Sequence, residues 1–123
     1  MYTMRFDHEL NLLDIRWIGL FAPEAVGAYA EDLARRFAAE GFKSGYLLRM
    51  DMSASAVQTQ DAVAAFRRSF DHFPAASRIA IVTPSALAKL QVRREMTQSY
   101  MRIFDTRCAA MAWLTDTADR AAA

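Results

Sequence analysis

The stretch "GYLLRMDMSASAVQTQDAVAAF", residues 45–66, contains the change of hydrophobic period that indicates the fold class. Over residues 45–52 apolar side chains alternate with Arg49 and Asp51, which is typical of a strand with two different faces. From about residue 60 to residue 73 the apolar residues recur at helical spacing. A strand followed by a helix in this way predicts an α/β chain, and we expect the charged strand face to be wet or paired, and partly open or used in self-association.

The flanking segments extend this pattern to the whole chain. Residues 2–7 and 13–17 alternate with period two around the polar segment "DHELN", which predicts an N-terminal β-hairpin. Five further elements follow: a helix over 22–41, a strand over 78–83, a helix over 84–99, a strand over 100–104 and a helix over 105–114. The sequence therefore predicts a hairpin followed by β-α-β units, with a mixed sheet of about five strands and about four helices.

Local signals mark the ends of the first and last helices. Pro23 fits the first turn and Gly41 fits the position just past the end of the first helix. Asp105 or Thr106 can cap the last helix. Two i,i+4 ion pairs are expected on the first helix, Glu31 with Arg35 and Asp32 with Arg36. We expect a single domain over residues 1–115 and a flexible tail over 116–123.

The bulk composition excludes several classes of function. The chain has 123 residues, a net charge of +1 and one cysteine, Cys108, so an internal disulfide is impossible. A charge this close to zero gives no reason to expect nucleic-acid binding. The N-terminus "MYTMRFDHEL" lacks the apolar run of a signal peptide, and no segment approaches the length of a membrane span. We expect a cytoplasmic protein without stable membrane insertion.

Three stretches resemble a known family in their order and spacing. They are "APEAV" at 22–26, "MDMS" at 50–53 and "RIFDTRCAAMAWL" at 102–114. Together they resemble the STAS domain, shared by sulfate transporters and anti-sigma-factor antagonists, and most of all its SpoIIAA-like branch of small stand-alone bacterial proteins. The likeness covers nearly all of residues 1–115. It implies a non-enzymatic module for regulation through protein-protein interaction.

The antagonists of this family carry a phosphate-accepting serine in a "DSSG"-type turn, and the resemblance implies that this chain lacks it. Counted from Asp51, the turn falls on residues 59–62, where Gln60 and Asp61 replace the two serines. A shift of register would bring Thr59 to the site, so this residue is either a helix N-cap or a phosphate acceptor. Asp61 either interacts with the helix dipole or mimics phosphoserine with a fixed charge.

The connection around residues 53–61 is the candidate surface for an unknown protein partner, and a homodimer is also possible. Ser53 and Ser55 are expected to be loop hydroxyls after the strand end. The candidate partner-binding residues are Asp51, Ser53, Ser55, Thr59, Gln60 and Asp61.

An aromatic and methionine stripe offers a second hypothesis, a small carrier or sensor of an apolar ligand such as a lipid. The stripe is first of all expected to be core, together with Leu87 and Leu90. It could also line a cavity, because phenylalanine and methionine leave adaptable gaps. The candidate pocket residues are Trp17, Met50, Met52, Phe66 and Phe70.

Basic residues on two helices form the remaining candidate surface. They are either an ordinary solvated face or a contact surface for an acidic protein. The residues are Arg67, Arg68, Lys89, Arg93 and Arg94.

Nothing in the sequence predicts an active site. His8 and His72 have no partner at metal-ligand spacing, and no phosphate-binding loop or hydrolase motif is present. We therefore expect no catalytic residue, no cofactor and no metal.

Overall fold

The computed structural model describes residues 1–55, 58–69 and 71–116, and this part of the chain forms the predicted elements in the predicted order. The strands are β1 (Tyr2–Asp7), β2 (Leu12–Gly19), β3 (Leu47–Ser55), β4 (Arg78–Val82) and β5 (Met101–Phe104). The helices are α1 (Pro23–Ala39), α2 (Gln60–Ser69), α3 (Ala86–Glu95) and α4 (Arg107–Leu114). The predicted α/β class is confirmed.

The five strands form one mixed sheet in the order β1-β2-β3-β4-β5. β1 runs antiparallel to β2, and every later strand runs parallel to its neighbour. The hairpin connection ends at Asn11, whose φ of 53° lies in the left-handed region that asparagine tolerates better than most residues. Because β2 to β5 are parallel, their carboxyl ends all lie at the same end of the sheet.

The two faces of the sheet support two separate apolar cores. Leu13, Ile15 and Trp17 point from β2 into the larger core, which also contains the inner sides of α1 and α3. On the opposite face α4 packs against β3, β4 and β5. The smaller core beneath α4 contains Leu12, Leu47, Ala80, Val82, Ala110 and Leu114. In the described part of the chain, the contacts of α4 centre on β3, β4 and β5, away from the β1 edge of this face.

The first helix begins and ends as the sequence predicts. Pro23 is its first residue, and Gly41 follows its end with a φ of 72°. The amides of Gly41 and Phe42 donate to the carbonyls of Ala38 and Phe37, each at 3.1 Å. This pair of bonds satisfies carbonyls that the helix end would otherwise leave free, and glycine adopts the required conformation without strain.

The ion pairs on α1 differ in part from the prediction. Arg36 pairs with Asp32 at 3.2 Å as predicted, but Arg35 pairs with Asp32 at 2.5 Å rather than with Glu31. The hydroxyl of Tyr2 also donates to Asp32 at 2.7 Å. Asp32 is buried against β1, so it offers the arginines a better positioned acceptor than the exposed Glu31.

The boundaries of β3 and α2 also differ from the prediction. β3 continues to Ser55, so Ser53 and Ser55 lie in a strand and not in a loop. The reason is that β2 supplies backbone partners beyond Asp51 after a register shift, pairing Gly19 with Ser55. α2 ends at Ser69, well before residue 73.

The prediction that Leu87 and Leu90 belong to the core is wrong. Both side chains are exposed, at 55% and 59%. α3 instead turns Ala88 and Val92 inward, and Met96 follows on the same side. The small Ala88 allows the helix backbone to approach the rest of the core, so the leucines face outward.

The last helix is capped as predicted. The hydroxyl of Thr106 accepts from the amide of Ala109 at 3.1 Å, while Asp105 pairs with Lys89. Within residues 1–55, 58–69 and 71–116, no helix is long and apolar enough to cross a membrane. Residues 117–123 of the predicted tail lie outside the described part, so the tail and the domain limits stay predictions.

Candidate functional site

The first turn of α2 lies at the carboxyl end of the sheet and is capped by a side chain. The hydroxyl of Thr59 accepts from the amide of Ala62 at 3.2 Å, so the predicted N-cap is confirmed. Gln60 and Asp61 follow in the first turn with exposed side chains. This turn therefore presents an amide and a carboxylate to the solvent at the position where the resemblance places two serines.

Gln58 links the start of α2 to the end of β2 and to α3. The sequence analysis missed this role. Its side-chain oxygen accepts from the amide of Phe21 at 2.8 Å, and its side-chain nitrogen donates to the carbonyl of Gly19 at 2.9 Å. Its own carbonyl accepts from the side chain of Gln91 on α3 at 2.7 Å. The end of β2, the start of α2 and the middle of α3 are thus held together by one buried glutamine.

Asp51 occupies a different environment from the other candidate partner-binding residues. Its side chain is fully buried, and one oxygen accepts from both the amide and the hydroxyl of Ser53, at 2.9 and 2.5 Å. The other oxygen accepts from Arg107 at 2.7 Å. Burial alone would raise the pKa of Asp51, but the bonds from Ser53 and Arg107 outweigh it and leave the pKa below its ordinary value.

Asp51 belongs to a charged cluster on the sheet face that carries α4; we define the cluster as Asp14, Arg16, Arg49, Asp51 and Arg107. Arg49 donates twice to Asp14, at 3.0 and 2.6 Å, and both side chains are buried. Arg107 bridges the aspartates, with a second bond to Asp14 at 3.2 Å. Arg16 lies 3.7 Å from Asp51 and is 48% exposed. The charged face of β3 is therefore paired.

One signal for this cluster was present in the sequence. Asp14 and Arg16 alternate in β2 as Arg49 and Asp51 do in β3, and the parallel register places opposite charges side by side. Arg107 had no such signal, because it lies 93 residues from Asp14 and is brought in by α4. The hydrogen bond to Asp51 raises the pKa of Arg107, so this arginine holds its charge throughout.

Four of the five candidate pocket residues come together on the opposite face. Trp17, Met50, Met52 and Phe66 line a mainly apolar cavity between the sheet, α2 and α3. Its interior is small, with a volume of about 30 Å³. Phe70 lies outside the described residues. The ring of Trp17 stacks on Phe21 with centroids 4.0 Å apart, so one wall of the cavity is rigid.

Two exposed patches lie close to the Gln58 anchor. Leu20 is 62% exposed and lies between the two residues whose backbones Gln58 bonds. On α3, Leu87 lies one turn before Gln91. Leu90 lies three residues after Leu87. Leu87 and Leu90 share one side of α3, and apolar side chains that are exposed together are typical of protein contact surfaces.

The predicted basic surface is divided by internal ion pairs. Arg67 pairs with Glu95 at 3.4 Å and with Asp71 at 3.8 Å, and Lys89 pairs with Asp105. The remaining three arginines are exposed and form no ion pair within the described part of the chain: Arg68, Arg93 and Arg94. Of the predicted basic surface, these three residues are the ones that no ion pair occupies in the described part of the chain.

Comparison with known proteins gives one result that bears on the fold. A model of the SpoIIAA-like family matches residues 12–115, which is most of the chain. No curated protein matches the chain significantly. The match includes the β3-to-α2 connection and the whole of α4, and it supports a STAS-like domain for regulation or interaction in general terms. The chain therefore belongs to the SpoIIAA-like family.

Proposed function

We propose that this chain is a non-enzymatic protein-interaction module, and that its partner docks at the carboxyl end of the sheet. We define the docking surface as Leu20, Gln60, Asp61, Leu87 and Leu90. The observation that carries the proposal is that exposed leucines lie just after β2 and on α3, beside the residues that Gln58 joins to the start of α2. Because Gln58 already holds these elements together, a partner that binds here loses little conformational entropy to ordering the surface.

The chemistry of the surface indicates what kind of partner it fits. Leu87 and Leu90 supply apolar contact area, and Arg93 and Arg94 follow on the same helix without an ion pair in the described residues. Apolar anchors surrounded by unpaired charge favour a partner that presents apolar side chains flanked by acidic ones. The partner proposed here is a protein of that description.

The serine switch of the family is proposed to be absent from this chain. The hydroxyl of Thr59 accepts an intrahelical bond, and Asp61 supplies a permanent charge in the first turn. If Asp61 acts as a fixed mimic of phosphoserine, Asp61→Asn weakens partner binding. If Asp61→Asn changes only the melting temperature, the carboxylate serves the helix dipole alone.

Site-specific photocrosslinking tests the docking surface. A photoreactive amino acid at position 90 is expected to give a discrete adduct with a second protein in living cells. The matched control is the same amino acid at the exposed position 31 on α1, where no discrete adduct is expected. Leu87→Ser, combined with the position-90 label, should reduce the adduct. Equal adducts at both positions, or no protein adduct, would contradict the proposal.

The apolar cavity is the basis of a second candidate function, a carrier or sensor of an apolar molecule, and at about 30 Å³ it would have to widen to admit such a ligand. Trp17 lines the cavity, whereas Trp113 lies on the other side of the sheet against Arg78 and Phe104. Trp113→Phe therefore leaves one tryptophan that reports on the cavity. A change in its emission with a micromolar fatty acid supports the carrier, whereas unchanged emission supports the interaction module.

A further inference from the structure

We propose that the free edge of β1 binds an extended acidic segment of a partner protein as a sixth strand. This surface is separate from the docking surface at the carboxyl end of the sheet. The inference rests on the free backbone of β1, on the surplus positive charge beside it, and on the two different faces of the strand.

Within residues 1–55, 58–69 and 71–116, no strand pairs with the outer edge of β1, which leaves backbone hydrogen-bonding groups free there. Met1 and Ile18 exchange both backbone bonds, at 2.8 and 3.1 Å, which fixes the phase of the antiparallel ladder. In an antiparallel strand, the backbone groups of every second residue bond to the same neighbouring strand. The backbone amides and carbonyls of Thr3 and Arg5 therefore point towards β2. The amides and carbonyls of the residues between them point away from the sheet; these are Tyr2, Met4 and Phe6. An added strand would bond to these groups.

The charges beside this edge do not balance. Arg49 and Arg107 already occupy the carboxylates of Asp14 and Asp51 with short bonds. Arg16 retains only its 3.7 Å contact, and the exposed Arg5 has no ion pair within the described residues. A shallow depression is lined by these groups, which are Thr3, Arg5, Asp14, Arg16 and Arg107. Asp7, two residues from Arg5 on the same face of β1, adds a third carboxylate to Asp14 and Asp51. Three carboxylates thus accompany four guanidinium groups, and the surplus of positive charge favours an anionic ligand.

The position of the arginines matches the side chains of an added strand. Arg5 projects from β1 itself. Arg16 leans towards Asp51 on β3, and because it lies opposite the small Thr3 its long side chain has room to swing across to an added strand. Carboxylates on alternate residues of an added strand would lie on this face. On the opposite face the half-buried Tyr2, Met4 and Phe6 present apolar surface. The segment that fits therefore alternates acidic and apolar residues.

Charge also decides between such a segment and a second copy of the chain. A register centred on Phe6 would set Arg5 against Asp7 of the second copy, but it would pair only residues 5–7 of each strand. Pairing over the length of β1, centred on Met4, would place the Arg5 and Arg16 side chains of both copies on one face. Like charges at neighbouring positions across strands are destabilising. An acidic segment instead supplies the carboxylates that these arginines lack.

A synthetic peptide tests the proposal. The probe is an eight-residue peptide of alternating glutamate and valine, added to the folded chain while backbone amides are followed by NMR. We expect shifts concentrated at Tyr2, Met4 and Phe6. A lysine-valine peptide of equal length is the matched control and should not bind.

Two variants separate the charge from the backbone contribution. Arg5→Glu should weaken the glutamate-valine peptide by about tenfold or more, whereas Arg68→Glu, the same charge change on α2, should not. Met4→Pro removes one outward amide, which an edge strand tolerates, and should also weaken binding. No shifts at about 1 mM peptide, or equal binding of the lysine peptide, would overturn the proposal. It would also be overturned by a dimer that Met4→Pro dissociates, because a second copy would then occupy the edge.

Discussion

At the scale of single residues, the Asp14–Arg49 pair is the most demanding interaction in the chain. Both side chains are buried, and the two bonds between them hold β2 to β3 beneath the start of α4. Such a pair adds little net stability over an apolar one, but removing one partner leaves an uncompensated buried charge. The pair therefore serves to fix the arrangement of the sheet face.

We expect Asp14→Ala to lower the free energy of unfolding by about 3–5 kcal/mol, because Arg49 would remain buried without its carboxylate. The matched control is Asp61→Ala, which removes an exposed carboxylate from the first turn of α2 and should cost no more than about 1 kcal/mol. Urea denaturation of both variants measures the difference. Equal losses would show that the Asp14–Arg49 pair is not structurally important.

Asp51 gives a prediction for pH dependence. Its pKa in the folded chain is lowered, so its contribution to stability is present above the unfolded pKa of about 3.9 and is lost as the pH falls through the folded value. Asp51→Asn should therefore be clearly less stable than the parent near pH 7. The two free energies of unfolding should converge in acid. A difference that stays constant down to about pH 2 would contradict the assigned direction.

At the scale of elements, α3 shows where a periodic pattern fails to give the phase of a helix. Leu87 and Leu90 are the largest apolar side chains on it, yet Ala88 and Val92 are buried. The sequence predicted the helix but not its bounds, which were given as 84–99. Pro84 lies before α3, and the hydroxyl of Ser85 caps it by accepting from the amide of Ala88 at 3.2 Å. The sequence could not predict the buried side, because that depends on the distance to the sheet.

The phase of α3 can be checked with two truncations. Val92→Ala should cost about 2 kcal/mol of unfolding free energy, because it opens a space in the larger core. Leu90→Ala should change it by less than about 0.5 kcal/mol, because that side chain is already in solvent. Thermal or urea unfolding measures both. A larger loss of unfolding free energy for Leu90→Ala than for Val92→Ala would show that Leu90 is buried and that the assigned phase of α3 is wrong.

At the scale of the whole molecule, local patterns were enough for the fold but not for the charged cluster. Alternation in residues 2–7 and 13–17 predicted the hairpin, and the change of period after β3 predicted the first parallel crossover. The cluster depends on Arg107, whose partners Asp14 and Asp51 are 93 and 56 residues away in sequence. Contacts of this range follow from topology, which one-dimensional patterns do not encode.

The same distinction applies to the candidate surfaces. The sequence pointed to residues 53–61, but the exposed leucines that extend this region became visible only when α3 was placed. The sequence analysis gave Gln58 no role, and its role appears in the bonds that it makes to Gly19, Phe21 and Gln91. A buried anchor of this kind gives the docking surface its fixed shape.

Hydrogen exchange of the complex with the crosslinked partner tests the central claim most directly. The account predicts that partner binding slows exchange in residues 58–62 and 86–91 and leaves α1 and α4 unchanged. Leu87→Ser should abolish that slowing without altering exchange in the sheet. Slowing confined to the outer side of α1 or to α4, with residues 86–91 unaffected, would contradict the proposed docking surface.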